Sequence, residues 1–115
     1  KININGRKLE TIDGTPERDF IHIKDLCEIH KKTFSYLNKN NNIILNCGTG
    51  KRYSVLRIVK EFEKKIGKKF KIDYKKKNIN ETETICSNIN LLHKKLKIRN
   101  KKNKIKYLVQ DYLRV

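Results

Sequence analysis

Apolar residues fall in short bursts along this chain, and the spacing within the bursts alternates between two and three-to-four residues. Lys1 to Ile4 alternates as a strand does, and Gly6 turns the chain away. Leu9 to Glu17 reads as an irregular loop containing the turn-forming run Asp13-Gly14-Thr15-Pro16. Phe20 to Ile23 predicts a short strand. Asp25 is expected to N-cap a helix with Leu26, Ile29, His30, Phe34 and Leu37 on its apolar face, ended by the polar loop Asn38 to Asn42. Ile43-Ile44-Leu45 is β-branched and apolar, which predicts a buried strand running into the turn Asn46-Cys47-Gly48-Thr49-Gly50.

Ser54 is the expected N-cap of a second helix, striped by Val55, Ile58, Val59, Phe62 and Ile66, with Gly67 at its C-terminal cap. Phe70 to Tyr74 alternates like a strand, and Lys75 to Thr84 is a polar loop. Asn88 is the expected cap of a third helix with Leu91, Leu92 and Leu96 turned inward. A Lys/Asn connector, Arg99 to Lys104, leads to a last helix presenting Ile105, Leu108, Val109, Tyr112 and Leu113. Interleaved strands and helices give an α/β class: a small mixed domain of short strands and about four helices.

Composition changes this picture little. A chain of 115 residues fits one domain. No window is long and apolar enough to span a bilayer, and the start lacks a secretory hydrophobic stretch. A formal charge of +17 ordinarily points to a polyanion. Yet the chain has 23 Lys, 13 Asn and 16 Ile against no Ala and one Pro, so AT-rich codon bias explains much of the lysine excess. Lysine also dominates over the arginine and interleaved aromatics that suit nucleic acid. A small basic nucleic-acid-binding domain is therefore the weaker alternative. Cys27, Cys47 and Cys86 are odd in number and widely spaced, with no C-x-x-C pair and no zinc spacing to His22, His30 or His93. They fit small buried hydrophobes in a reducing cytoplasm. With no methionine and a Lys-Ile-Asn start, the chain is expected to be a piece of a longer protein.

Three places carry candidate chemistry. The Gly48–Gly50 turn before a helix fits either a tight strand-to-helix connection or an anion cradle, but it lacks the G-x-G-x-x-G and Gly-Lys-Ser/Thr spacings. Arg18 offers a planar fork for phosphate oxygens, or an ion pair with Glu17 or Asp19. His22, beside Asp25, reads as structural rather than as a general base.

The run Asp13-Gly14-Thr15-x-x-Arg18-Asp19-Phe20-Ile21-His22-Ile23-x-Asp25-Leu26 resembles a segment of the UDP-glucose (UDP-galactose) 4-epimerases, in the extended short-chain dehydrogenase/reductase family. Asn46-x-Gly48-Thr49-Gly50-x-x-Tyr53-Ser54-Val55 is similar to a second one. The resemblance covers nearly the whole chain and implies the C-terminal, substrate-binding part of such an enzyme, a single domain over residues 1–115 without its Rossmann half. It implies Arg18 at the substrate diphosphate, Phe20 in place of the family's tyrosine, and Val55 near the uracil ring. Counting back from Asn88 sets Lys77-Asn78-Ile79-Asn80-Glu81 on the family's Arg-Arg-x-Gly-Asp, so Asn78 stands where the second arginine binds diphosphate and Glu81 where a carboxylate meets the ribose. The lysine-rich loop reads equally as solvated chain. Ile85 falls at the gate position, where a small residue admits N-acetylated sugars and tyrosine excludes them.

The family's reaction moves a hydride from sugar C4 to NAD and returns it to the opposite face, interconverting UDP-galactose and UDP-glucose. It uses a Tyr-x-x-x-Lys pair and a glycine-rich NAD fingerprint, and this chain contains neither. The expectation is therefore a UDP-sugar-binding segment of a cytoplasmic enzyme of galactose metabolism. NAD would be held by a missing N-terminal half, and no catalytic residue or metal would lie here. A dehydratase or decarboxylase of nucleotide sugars is the neighbouring alternative. The helix after Asp25 and the strand Ile43 to Leu45 are expected to pack against that missing half and, without it, to leave apolar surface open or covered by self-association.

Overall fold

The computed structural model describes residues 1–39, 42–77, 82–98 and 104–113. The elements run β1 (Ile2–Asn5), β2 (Glu17–Arg18), α1 (Ile23–Leu37), β3 (Tyr53–Ser54), α2 (Val55–Ile66), β4 (Ile72–Lys75), α3 (Asn90–Leu96) and α4 (Ile105–Tyr112). β1 pairs in parallel with β4, Ile2 opposite Ile72 and Asn5 opposite Lys75. β2 pairs antiparallel with β3, Glu17 opposite Ser54 and Arg18 opposite Tyr53. Among the described residues the fold is α/β with four helices and short strands, as the periodicity predicts.

α2 follows its sequence closely. The Ser54 hydroxyl accepts the Arg57 N–H at 3.1 Å, satisfying one orphan donor of the first turn. Gly67 ends the helix at φ 74°, where its N–H reaches the Glu63 carbonyl at 2.9 Å. A left-handed residue here favours glycine, because any Cβ is strained.

Two expected strands do not form. Among the described residues, 20–22 have no strand partner; instead His22 Nδ1 accepts the Lys24 N–H at 3.0 Å and opens α1 at Ile23. His22, not Asp25, is the N-cap. Asp25 is buried in the first turn, where a carboxylate suits the positive end of the helix. Ile43–Leu45 likewise lies outside any strand, since a strand is stable only when a neighbour takes up its N–H and C=O groups. Ahead of α3, the Asn88 side chain accepts the Asn90 N–H at 3.1 Å, but the cap position itself is Ile89.

One core cluster joins Ile29 of α1 to Leu92, Leu96 and Ile98, with Ile21, Tyr36, Leu45 and Ile89 packed against it. α2 packs on α4, which buries Val59, Ile105 and Val109, and Phe62 meets Tyr112 edge-on at 5.8 Å. Leu91, expected inward, faces out. The molecule measures 50 × 34 × 18 Å with a radius of gyration of 16.5 Å. A compact domain of this length has roughly 13 Å. The slab leaves α1 buried on one side only: Ile23, Phe34 and Leu37 are exposed, Phe34 at 70%, and Phe34 and Leu37 line an apolar groove with Ile43 and Leu45.

Truncating Ile29, which is 1% exposed, removes the residue that joins α1 to α3. Ile29→Ala is expected to lower unfolding free energy by about 2–5 kcal/mol, measured by urea titration.

Candidate functional site

The short strand β2 is the meeting point of three distant parts of the chain. On one side it pairs with β3, and the Val55 N–H at the start of α2 donates to the Pro16 carbonyl at 2.9 Å. On the other side Glu17 forms an isolated parallel bridge with Thr84: its N–H donates to the Glu83 carbonyl at 2.8 Å, and its carbonyl accepts the Ile85 N–H at 3.0 Å. Arg18 adds a side-chain tie, with Nη1 donating to the carbonyls of Glu17 at 2.8 Å and Glu83 at 3.1 Å. Arg18, Val55 and Ile85 are thereby gathered on adjoining backbone.

Three carboxylates brace this centre. Glu17 is 5% exposed, and a buried carboxylate without a counter-charge is costly. Arg52 Nε supplies that charge, 3.0 Å from Glu17 Oε2. Asp13 Oδ1 accepts from the Thr15 N–H at 3.1 Å and the Thr15 hydroxyl at 2.6 Å, while Oδ2 accepts the Ser54 hydroxyl. Thr15 Oγ1 in turn accepts the Leu56 N–H at 3.2 Å. The Asp-Gly-Thr run thus fastens its own loop to the N-terminus of α2. Burial pushes the Asp13 carboxyl up, but the Ser54 and Thr15 hydrogen bonds and the Lys60 charge outweigh it, so it sits below its usual value of 3.8.

Asp19 is the third. Oδ1 accepts the Thr49 N–H at 2.9 Å and its hydroxyl at 2.6 Å; Oδ2 accepts the N–H groups of Gly50 at 3.0 Å and Ser87 at 3.2 Å. The Gly48–Gly50 turn therefore points its amides at a carboxylate of the same chain, where an anion cradle would offer them to phosphate. The arrangement does not fit the pyrophosphate of a dinucleotide; it is a tight connection. Gly48 is required by space, since a Cβ there would lie 2.5 Å from both Asp19 Oδ2 and Ser87 Cβ.

The remaining candidates are more scattered. Phe20 is half-buried on the wall of a cleft of about 940 Å³, shared with His22, Ile58, Phe62, Leu108 and Tyr112 but not Arg18. Lys77 is exposed and sits 3.0 Å from Glu83 Oε1; that hydrogen bond and the Glu10 N–H hold the Glu83 carboxyl below its usual range. Asn78 and Glu81 lie outside the described residues. His22, besides capping α1, is buried and places Nε2 3.4 Å from Asp111 of α4. All three cysteines are free and exposed, not buried as expected; Cys47 lines an apolar groove with Phe34 and Leu37 on the uncovered side of the slab. Among the described residues no group of three or more His, Cys, Asp or Glu is placed for a metal, and no helix is long and apolar enough to cross a membrane. Sequence reasoning missed the bracing roles of Asp13, Glu17 and Asp19, which depend on contacts across 30 or more residues.

No protein-family model matches the sequence. The UDP-glucose 4-epimerase of Drosophila melanogaster is 40% identical over 101 residues, covering 83% of this chain and 28% of that protein. That of Bifidobacterium longum is 37% identical over 67 residues, covering 58% of this chain and 20% of that protein. The solved structure of the Bifidobacterium longum enzyme with NAD+ and UDP matches 95% of this chain at a TM-score of 0.86 and 27% identity, and covers 32% of that chain. The chain is similar to part of the UDP-glucose 4-epimerases. The chain spans 20–28% of the length of those curated relatives. A Stenotrophomonas maltophila UDP-glucose 4-epimerase, at 23% identity and a TM-score of 0.90 over 99% of the segment, shares the fold.

Two outcomes are expected of the segment's bracing groups. Gly48→Ala forces the turn away from Asp19 and Ser87 and is expected to cost roughly 1–3 kcal/mol, read from thermal melts. Because the folded-state pKa of Asp13 is depressed, its ionised form stabilises the fold above about pH 4, and that contribution is lost as pH falls through the folded value. Asp13→Asn is accordingly expected to flatten the decline in melting temperature on acidification below about pH 4.

Proposed function

We propose that this chain is the C-terminal, UDP-sugar-binding domain of a UDP-glucose 4-epimerase, a single unit over residues 1–115. The observation that carries this reading is the convergence at β2. Arg18, Val55 and Ile85 come from three segments that the family resemblance assigns to diphosphate, uracil and sugar, and the backbone gathers them at one place. A guanidinium in a partly buried setting suits the two phosphates of UDP, whose oxygens match its fork. Lys77 adds charge close by, Asn78 and Glu81 complete the proposed set toward the diphosphate and the ribose, and Phe20, two residues from Arg18 on the wall of the neighbouring cleft, is its remaining member.

NAD, the hydride acceptor of the reaction, is to be held by the N-terminal portion of the enzyme, since the glycine turn of this chain is filled by Asp19. In this reading the whole enzyme interconverts UDP-galactose and UDP-glucose in the cytoplasm, as a step of galactose metabolism. The same N-terminal portion is the proposed cover for the open face of α1, because exposed Phe34 and Leu37 line one apolar groove with Ile43 and Leu45 rather than standing as scattered residues. Taken alone, the chain is expected to self-associate through that face. Sedimentation at rising concentration checks this: Phe34→Lys should shift the chain toward monomer without lowering its melting temperature, and a strictly monomeric parent would remove the proposed interface.

The binding test is a calorimetric titration of UDP into the full-length protein carrying this segment, with DNA as competitor. Arg18→Ala is expected to weaken UDP by at least about tenfold, from loss of a charged hydrogen bond of roughly 1.5–3 kcal/mol. Unchanged UDP binding in the variant would overturn the assignment of Arg18. Binding of DNA with a steep salt dependence, and none of UDP, would favour the basic-module alternative.

A further inference from the structure

We infer that Asp19 is a positioning residue of the sugar pocket, a carboxylate that locks the Ile85 gate and the Gly48 turn to the strand carrying Arg18. The inference rests on the proposed roles of Arg18 and Ile85.

Residues 17, 18 and 19 grip residues 83, 85 and 87 in succession. Glu17 exchanges backbone hydrogen bonds with Glu83 and Ile85, and Arg18 Nη1 reaches the Glu83 carbonyl. At Ser87 the backbone ladder has ended and the Asp19 side chain takes over, accepting the Ser87 N–H at 3.2 Å. Ile85 is thus fixed from both sides, by Glu17 and Arg18 before it and Asp19 after it. The same carboxylate holds Thr49 and Gly50, 30 and 31 residues away, so the turn leading toward β3 is tied to the gate through one group.

The chemistry demands a carboxylate at this position. Each of the four contacting groups, three backbone N–H and one hydroxyl, donates a hydrogen bond to Asp19. A carboxylate has two acceptor oxygens and no proton to offer, whereas an amide of the same shape turns an N–H₂ donor toward one set. Asp19→Asn therefore keeps the volume and opposes donor to donor at either Thr49 or the Gly50–Ser87 pair. The close approach at Gly48 leaves no slack for a shift in the turn. The grip is predicted to relax on the Ser87 side and to free the Ile85 side chain, while Arg18 keeps its two carbonyl contacts.

A purely structural role would weaken all ligands alike, and a positioning role would not. The test is calorimetric titration of UDP, UDP-glucose and UDP-N-acetylglucosamine into the full-length protein, its Asp19→Asn variant and Thr49→Val. Asp19→Asn is expected to weaken UDP-glucose by about tenfold and UDP by no more than about threefold, and to move the preference toward the bulkier N-acetylated sugar. Thr49→Val, which removes one hydroxyl donor from Asp19, should shift that preference in the same direction by a smaller factor. It decides the matter if Asp19→Asn does not fold. Equal loss for all three ligands, or unchanged preference in both variants, overturns the positioning role while Arg18→Ala still weakens UDP. If Arg18→Ala leaves UDP binding intact, the underlying site assignment fails and this inference with it.

Discussion

The two-residue strand Glu17–Arg18 is the constraint on which the rest of the site depends. Its backbone is used on both edges, by Tyr53–Ser54 and by the Glu83–Ile85 segment, so segments far apart in the chain are set beside each other at hydrogen-bonding distance. A strand this short has little strength of its own, since two ladder bonds barely offset the ordering of the backbone. It holds because polar side chains extend the ladder beyond its ends.

Asp13, Glu17 and Asp19 occupy alternate structural tasks around that strand. Asp13 fastens the loop before it to the first turn of α2, Glu17 is buried against Arg52, and Asp19 closes the Gly48 turn onto Ser87. Each carboxylate meets N–H and O–H donors or a guanidinium, so the charge that burial would penalise is compensated locally. In a chain of formal charge +17 these acids are a minority, and their placement at the junctions matters more than the lysine excess on the surface.

The helices tell a different story from the strand. α1 and α3 share one core and α2 and α4 another, yet the slab is only 18 Å deep and the far side of α1 stays open. The apolar stretch Ile43–Leu45 beside it has strand composition without a strand partner among the described residues, and Leu45 packs on the α1–α3 core instead.

Local chemistry let the sequence alone determine α2, from the Ser54 cap through its apolar stripe to Gly67, along with β1, β4 and the last helix. Capping, helical period and a left-handed glycine all act within a few residues, so they are legible without the fold. The run around Arg18 and the Asn46–Val55 run also carried the epimerase likeness and three of the proposed site residues, Arg18, Phe20 and Val55. Only the tertiary structure decided that His22 rather than Asp25 opens α1, that residues 20–22 and 43–45 are not strands, and that the cysteines lie exposed. It alone brought Ser87 to Asp19 and Arg52 to Glu17. Strand formation, burial and ion pairing are settled by whichever distant group arrives to take a hydrogen bond, a charge or an apolar face, and no window of sequence contains that partner.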